Sequence, residues 1–91
     1  VGIGEIALLE SVNVSPNPSF GLYNLILEGA SGEDVILNVY DAQARVIWSS
    51  TLNQAWGSVQ STIDLVGKSA GMYQLEVMAD GNRKMLQLLK Q

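Results

Sequence analysis

The sequence predicts an all-β sandwich, on three observations. Apolar and polar residues alternate with period two through most of the chain, and no segment sustains a helical period beyond two turns. The alternating runs are short and are separated at near-regular spacing by glycine, proline, asparagine, aspartate and serine. Ninety-one residues, 47% of them hydrophobic and 15% charged, supply one core and leave no room for a second.

Residues 1–6 are glycine-rich and read as a linker remnant, so the folded domain is placed at residues 7–91. Ala7 to Val14 forms an opening strand with Val12 and Val14 on one face. It stops at Pro16-Asn17-Pro18-Ser19-Phe20-Gly21, because neither proline can donate to a sheet ladder. Leu22 to Leu27 turns Tyr23, Leu25 and Leu27 inward, and Glu28 to Glu33, with two glycines and a serine, has the chemistry of a loop. Asp34 to Asp41 points Val35, Leu37 and Val39 to the core, and Arg45 to Leu52 does so with Val46, Trp48 and Leu52. A loose stretch through Trp56-Gly57 leads to Val59–Leu65, with Ile63 and Leu65 inward, and Val66 to Gly71 turns the chain again.

The last two strands carry the sharpest local signal. Asp80-Gly81 between alternating runs marks a two-residue hairpin, since both central positions require positive φ. That turn sets the register: Ala79 faces Asn82, Val77 faces Lys84, Leu75 faces Leu86 and Tyr73 faces Leu88. Seven or so short antiparallel strands in about eighty residues then form two sheets packed face to face, an immunoglobulin-like β-sandwich.

Composition narrows function. The net charge is −4, and the five basic residues, Arg45, Lys68, Arg83, Lys84 and Lys90, are scattered, so no basic stripe tracks nucleic-acid phosphates. No apolar run approaches the ~20 residues of a helical membrane span, and no transmembrane segment is expected. Histidine and cysteine are both absent, which removes the common general base, the thiolate nucleophile and most transition-metal sites. No serine lies in a Gly-x-Ser-x-Gly turn. The expectation is a domain that is not an enzyme, with no catalytic, metal or cofactor site. The chain opens on Val1 without a signal-peptide pattern and reads as a piece of a longer protein.

Glu33, Asp34, Asp41, Asp64 and Asp80 lack the spacing of a calcium loop, and Asp41 and Asp80 sit where aspartate caps its own turn. Trp48 falls on an apolar face and packs in the core, leaving Trp56 as the aromatic expected at the surface. Ile36, Tyr40, Ile47, Met72, Met85 and Leu89 point outward and either cover an edge or form a contact patch.

Three segments together resemble a known family. Val14 to Tyr23, with Pro16, Asn17, Pro18 and Gly21, resembles the opening motif of the type IX (Por) secretion system C-terminal sorting domain, type A. Leu37 to Val46, with Asp41 and Arg45, resembles its middle motif. Ser69 to Val77, with Gly71 and Tyr73, resembles the third, and the strand ending at Lys90-Gln91 resembles the family terminus. Ser15 stands where the family has tyrosine, and Ala44 where it has glycine.

The resemblance implies a secretion signal at the C-terminus of a larger cargo protein of a Gram-negative bacterium. Its partners would be the type IX outer-membrane translocon, a sortase-like peptidase and the N-terminal cargo domain of the same chain. Its path would run from periplasm to the extracellular space or cell surface, with cleavage and attachment of the cargo there. The alternative is an immunoglobulin-like accessory or spacer module that binds a carbohydrate or a protein.

Read physically, the motif residues are architecture. Pro16 and Pro18 end a strand, Asp41 caps a turn and Gly71 permits a close approach ahead of Tyr73. Two conformational expectations follow. Ala44, fourth in the turn Asp41-Ala42-Gln43-Ala44, takes positive φ. Tyr73 is buried, with its hydroxyl on the backbone of Leu65 to Lys68.

Overall fold

A computed structural model describes residues 11–91 of the chain. Seven strands follow one another: β1 (Ser11–Ser15), β2 (Leu22–Ser31), β3 (Val35–Tyr40), β4 (Val46–Leu52), β5 (Trp56–Asp64), β6 (Gly71–Ala79) and β7 (Asn82–Lys90). They make a three-stranded sheet, β1-β2-β5, and a four-stranded sheet, β4-β3-β6-β7, with every strand pair antiparallel. The fold is the predicted all-β sandwich. The expected strand over Ala7 to Val14 is seen as β1 from Ser11; its first four residues and the linker lie outside the described residues.

Inward residues of the two sheets meet in one core. Tyr23, Leu25, Leu27, Val35, Leu37, Val39, Ile63, Leu65, Leu75, Val77 and Leu88 are fully buried, each at the position that period-two alternation assigns. Each aliphatic side chain so buried contributes about 1.5–3 kcal/mol from apolar surface withdrawn from water. The β6–β7 register matches the reading from Asp80-Gly81 at all four predicted pairs. Asp80 (φ 54°) and Gly81 (φ 81°) both adopt the left-handed conformation that this turn demands. Asp80 serves by conformation; among the described residues its carboxylate accepts no hydrogen bond.

Three stretches depart from the sequence reading, two of them through bulges. Glu28 to Ser31 continues β2, with the register against β5 shifting between Leu27 and Ala30. Gly29 (φ 89°) absorbs the extra residue, and Ala30 returns to the core. On β4 the register shifts between the Val39–Trp48 and Tyr40–Val46 pairs, making Ile47 the extra residue. Trp48 and Leu52 pack against the core as expected, but Val46 swings out to solvent and Ile47 turns in to pack against the core. Finally, Trp56 opens β5 instead of lying in a loop. Its ring lies over Gly32, where a Cβ would come within 2.7 Å of it.

The strand order and registers sort every connection to one of two poles. Ser11, residues 32–34, residues 53–55 and the Asp80-Gly81 turn lie at one. The Pro16–Gly21 connection, residues 41–45, residues 65–70 and Gln91 lie at the other, called here the motif pole. The long dimension of the molecule is 40 Å.

Candidate functional site

All nine residues singled out from the motifs fall at the motif pole. Pro16, Asn17, Pro18 and Gly21 form an arm between β1 and β2; Asp41 and Arg45 flank the β3–β4 turn; Gly71 and Tyr73 open β6; Lys90 closes β7. These positions are as much as 74 residues apart in the chain (Pro16 to Lys90), and strand stacking alone brings them together.

The arm leaves the three-stranded sheet and docks on the free edge of β7 in the other. Asn17 Nδ2 donates to Gln87 O at 2.8 Å, and Leu89 N donates to Asn17 Oδ1 at 3.0 Å. The side-chain amide thus acts as a surrogate peptide group, presenting one donor and one acceptor in the spacing of a strand. Ser19 continues the contact as a true backbone partner, donating N–H to Leu89 O (3.1 Å) and accepting from Gln91 N (2.8 Å) in a parallel bridge beside Lys90. Proline suits this arm, since Pro16 and Pro18 alternate with the residues that bond β7.

Two tyrosines tie this pole to the core. Tyr23 is fully buried and its hydroxyl donates to Leu89 O at 2.6 Å, so that carbonyl uses both lone pairs. Burial, with a smaller contribution from neighbouring Tyr73, pushes the Tyr23 hydroxyl above its ordinary pKa and keeps it a donor. Tyr73 is buried as expected, and its hydroxyl donates to Ser69 O at 2.5 Å, one residue beyond the predicted range. Lys68 N bonds Leu65 O to close that corner.

The β3–β4 turn is closed by its own aspartate. Asp41 Oδ1 accepts from Gln43 N (2.9 Å) and Arg45 N (3.0 Å), and Oδ2 accepts from Arg45 Nε (2.9 Å). These donors, the Arg45 backbone N–H foremost, hold the carboxyl below its ordinary pKa. Ala44 takes φ 64°, as predicted for the fourth position of this turn. This turn and the β6 corner, Ser69 to Tyr73, line one shallow cleft.

Gly71 departs from expectation. At Gly71 a Cβ would meet nothing within 4 Å, so close approach is not its purpose; its φ of 147° is. Close approach belongs to Gly21, where a Cβ would lie 3.0 Å from Val66 Cα and N. The carboxylates that lack calcium-loop spacing likewise have backbone work: Asp34 accepts from Gln54 N, and Asp64 from Val66 N. No metal-binding cluster occurs among the described residues.

Sequence reasoning missed Glu76. Although it alternates outward, it is 4% exposed. Tyr40 Oη (2.7 Å) and Asn38 Nδ2 (3.2 Å) donate to Oε1, and Arg83 donates to Oε2 (3.3 Å). The Tyr40 bond is the largest influence holding its pKa below the ordinary value. Its partners come from β3 and β7, so only the sheet order reveals the cluster.

The motif residues of this β-sandwich bond its own backbone and gather at one pole, the first of them on the edge of β7. The chain belongs to the secretion system C-terminal sorting domain family, the type IX (Por) sorting domains: the family model matches residues 13–91. The match takes in the arm, both turns and all of β7. A search of curated proteins finds no match.

Proposed function

We propose that this domain carries a larger cargo protein through the type IX outer-membrane translocon, after which a sortase-like peptidase removes the domain and the cargo stays at the cell surface. Transit starts in the periplasm and ends outside the cell, and the folded unit is taken as residues 7–91, behind a short linker. The observation that carries this reading is that all three motifs gather at one pole, the one remote from Ser11, where the first of them is clamped on the edge of β7. Pro16, Asn17, Pro18, Gly21, Asp41, Arg45, Gly71, Tyr73 and Lys90 act by building that pole and not by chemistry.

The test is export of the parent protein in a type IX-competent host, with and without Arg83 to Lys90. Loss of those residues removes β7 and the seat of the arm, and periplasmic retention is expected. Undiminished export of the truncated protein overturns the reading. A carbohydrate-binding module is the second reading, favoured by Trp56, which is 69% exposed with its ring laid over Gly32. Glycan binding that Trp56→Ala abolishes would establish it.

A further inference from the structure

Among the described residues β1, β4, β5 and β7 lie at sheet edges, and all but β5 are protected. β1 is five residues long and runs into Pro16. On β4 the bulge at Ile47 confines straight pairing to Trp48–Leu52. The arm covers β7 from Gln87 onward, and Lys84, opposite the buried Val77, sets a charge on the inner side of the remainder. Short strands, bulges and inward-pointing lysines are the devices that keep open edges from pairing.

β5 carries no such device beyond Gly57 (φ 64°). Its tract from Ser58 to Ile63 holds no proline, no charge and no bulge of its own. Leu65 N donates to Gly21 O at 2.7 Å, so in this antiparallel register the opposed pairs Tyr23–Ile63, Leu25–Ser61 and Leu27–Val59 exchange both backbone bonds. The N–H and C=O groups of Ser58, Gln60 and Thr62 therefore point away from β2, and no described strand pairs with them there. The side chains of these three residues are exposed as well. Residues 46–63, which hold β4 and all of β5 but Asp64, contain no charged side chain, although the chain has nine acidic and five basic residues.

We propose that the open edge of β5 pairs antiparallel with β5 of a second copy of this chain, about a two-fold axis at Gln60, joining two three-stranded sheets into one. In that register Gln60 faces its counterpart and Ser58 faces Thr62, and these outward pairs exchange about six backbone hydrogen bonds. Their side chains are hydroxyls and amides, which bond one another across strands. Charge selects the occupant. Two copies of a chain of net charge −4 meet with least repulsion at a neutral flank, and a partner recruited by charge finds no counter-charge along residues 46–63. Because the other edges are protected, the matching open edge on a second copy is β5 itself, so the contact is isologous and closes at two. This pairing is independent of the sorting function.

The test is sedimentation velocity of the purified chain from about 10 μM to about 1 mM, with residue-resolved hydrogen exchange at both ends of that range. The average mass is expected to rise toward twice that of the monomer. The amides of Ser58, Gln60 and Thr62 should exchange about fivefold more slowly at the upper concentration, as for a Kd of about 100 μM, while those of Val59 and Ser61, bonded to β2, stay protected throughout. Gln60→Lys sets two lysines opposite each other on the axis, and Gln60→Pro removes an N–H that β2 does not use. Each should hold the chain monomeric with Val59 and Ser61 still protected; if the proline variant loses that protection, Gln60→Lys decides alone. A chain that stays monomeric across the range overturns the proposal. So does a dimer in which Ser58, Gln60 and Thr62 exchange freely, since it uses another surface, and so does a dimer that survives Gln60→Lys. Protection of those three amides in the monomer overturns it too, since the edge is then covered from within the chain.

Discussion

Asn17 and Leu89 lie 72 residues apart in the chain, yet the amide of Leu89 donates to the side-chain oxygen of Asn17 at 3.0 Å. With the second bond to Gln87 O, this one side chain closes the edge of the C-terminal strand and joins the two sheets. An open edge invites pairing with another chain, and here the arm occupies it beside Gln87 to Gln91.

Asn17→Ala removes both bonds. A net loss of about 1–2 kcal/mol is expected, two hydrogen bonds at ordinary net strength. The sharper readout is hydrogen exchange, where the Leu89 amide should exchange much faster while the Leu75 and Val77 amides of β6 stay protected. Unchanged protection at Leu89 would show that Ser19 alone holds the arm.

Gly21→Ala and Gly71→Ala separate close approach from backbone strain. Both glycines hold positive φ, at a cost of order 1–3 kcal/mol to an alanine. Only at Gly21 does the new methyl also meet backbone, at 3.0 Å from Val66. Gly21→Ala should therefore lower the melting temperature more than Gly71→Ala does, and equal losses in calorimetry would refute the steric part of this account.

Ala44 at φ 64° is held in a conformation that disfavours Cβ by roughly 1–2 kcal/mol. Ala44→Gly relieves that strain, and the larger entropy of unfolded glycine offsets about 0.4–1 kcal/mol of the gain. The expected net effect is a stabilisation of up to about 1 kcal/mol, measurable by denaturant titration. A lower midpoint for Ala44→Gly would count against strain at this turn.

Glu76 should govern part of the acid limb of stability. Its carboxyl is held below the ordinary value of 4.5, first by the Tyr40 hydroxyl, then by Asn38 and Arg83. A depressed folded-state pKa means that the stabilisation is fully present above the unfolded value and is lost as pH falls through the folded one. Stability should decline below about pH 4.5, and Glu76→Gln should flatten that decline while lowering stability at neutral pH. Parallel pH profiles for the two chains would remove Glu76 from the explanation.

Tyr73→Phe tests the corner bond. Deleting the hydroxyl removes its bond to Ser69 O and should cost about 0.5–1.5 kcal/mol, read from the urea midpoint, with the β6–β7 pairing retained.

What could be read from the sequence shares a short range. The Asp80-Gly81 hairpin register and positive φ at Ala44 depend on two to five neighbouring residues, whose steric and hydrogen-bonding preferences are written in their own chemistry. The buried series on β2, β3 and β6 follows from period-two alternation against a single core. Alternation could not locate the bulges at Gly29 and Ile47, because an extra residue reverses the faces without altering composition nearby. Hence Val46 was expected inside and Ile47 outside.

By itself, then, the sequence determined the all-β fold, the Asp80-Gly81 hairpin, most of the core and the family resemblance, each through interactions among near neighbours or through a pattern repeated along the chain. The tertiary structure alone decided that Asn17 meets Leu89, that Glu76 is enclosed by Asn38, Tyr40 and Arg83, and that Gly21 rests on Val66. Those contacts join residues separated by 7 to 72 positions and arise from how strands are ordered and sheets stacked. Strand order is a global balance of loop closure against burial, which no local stretch of residues contains.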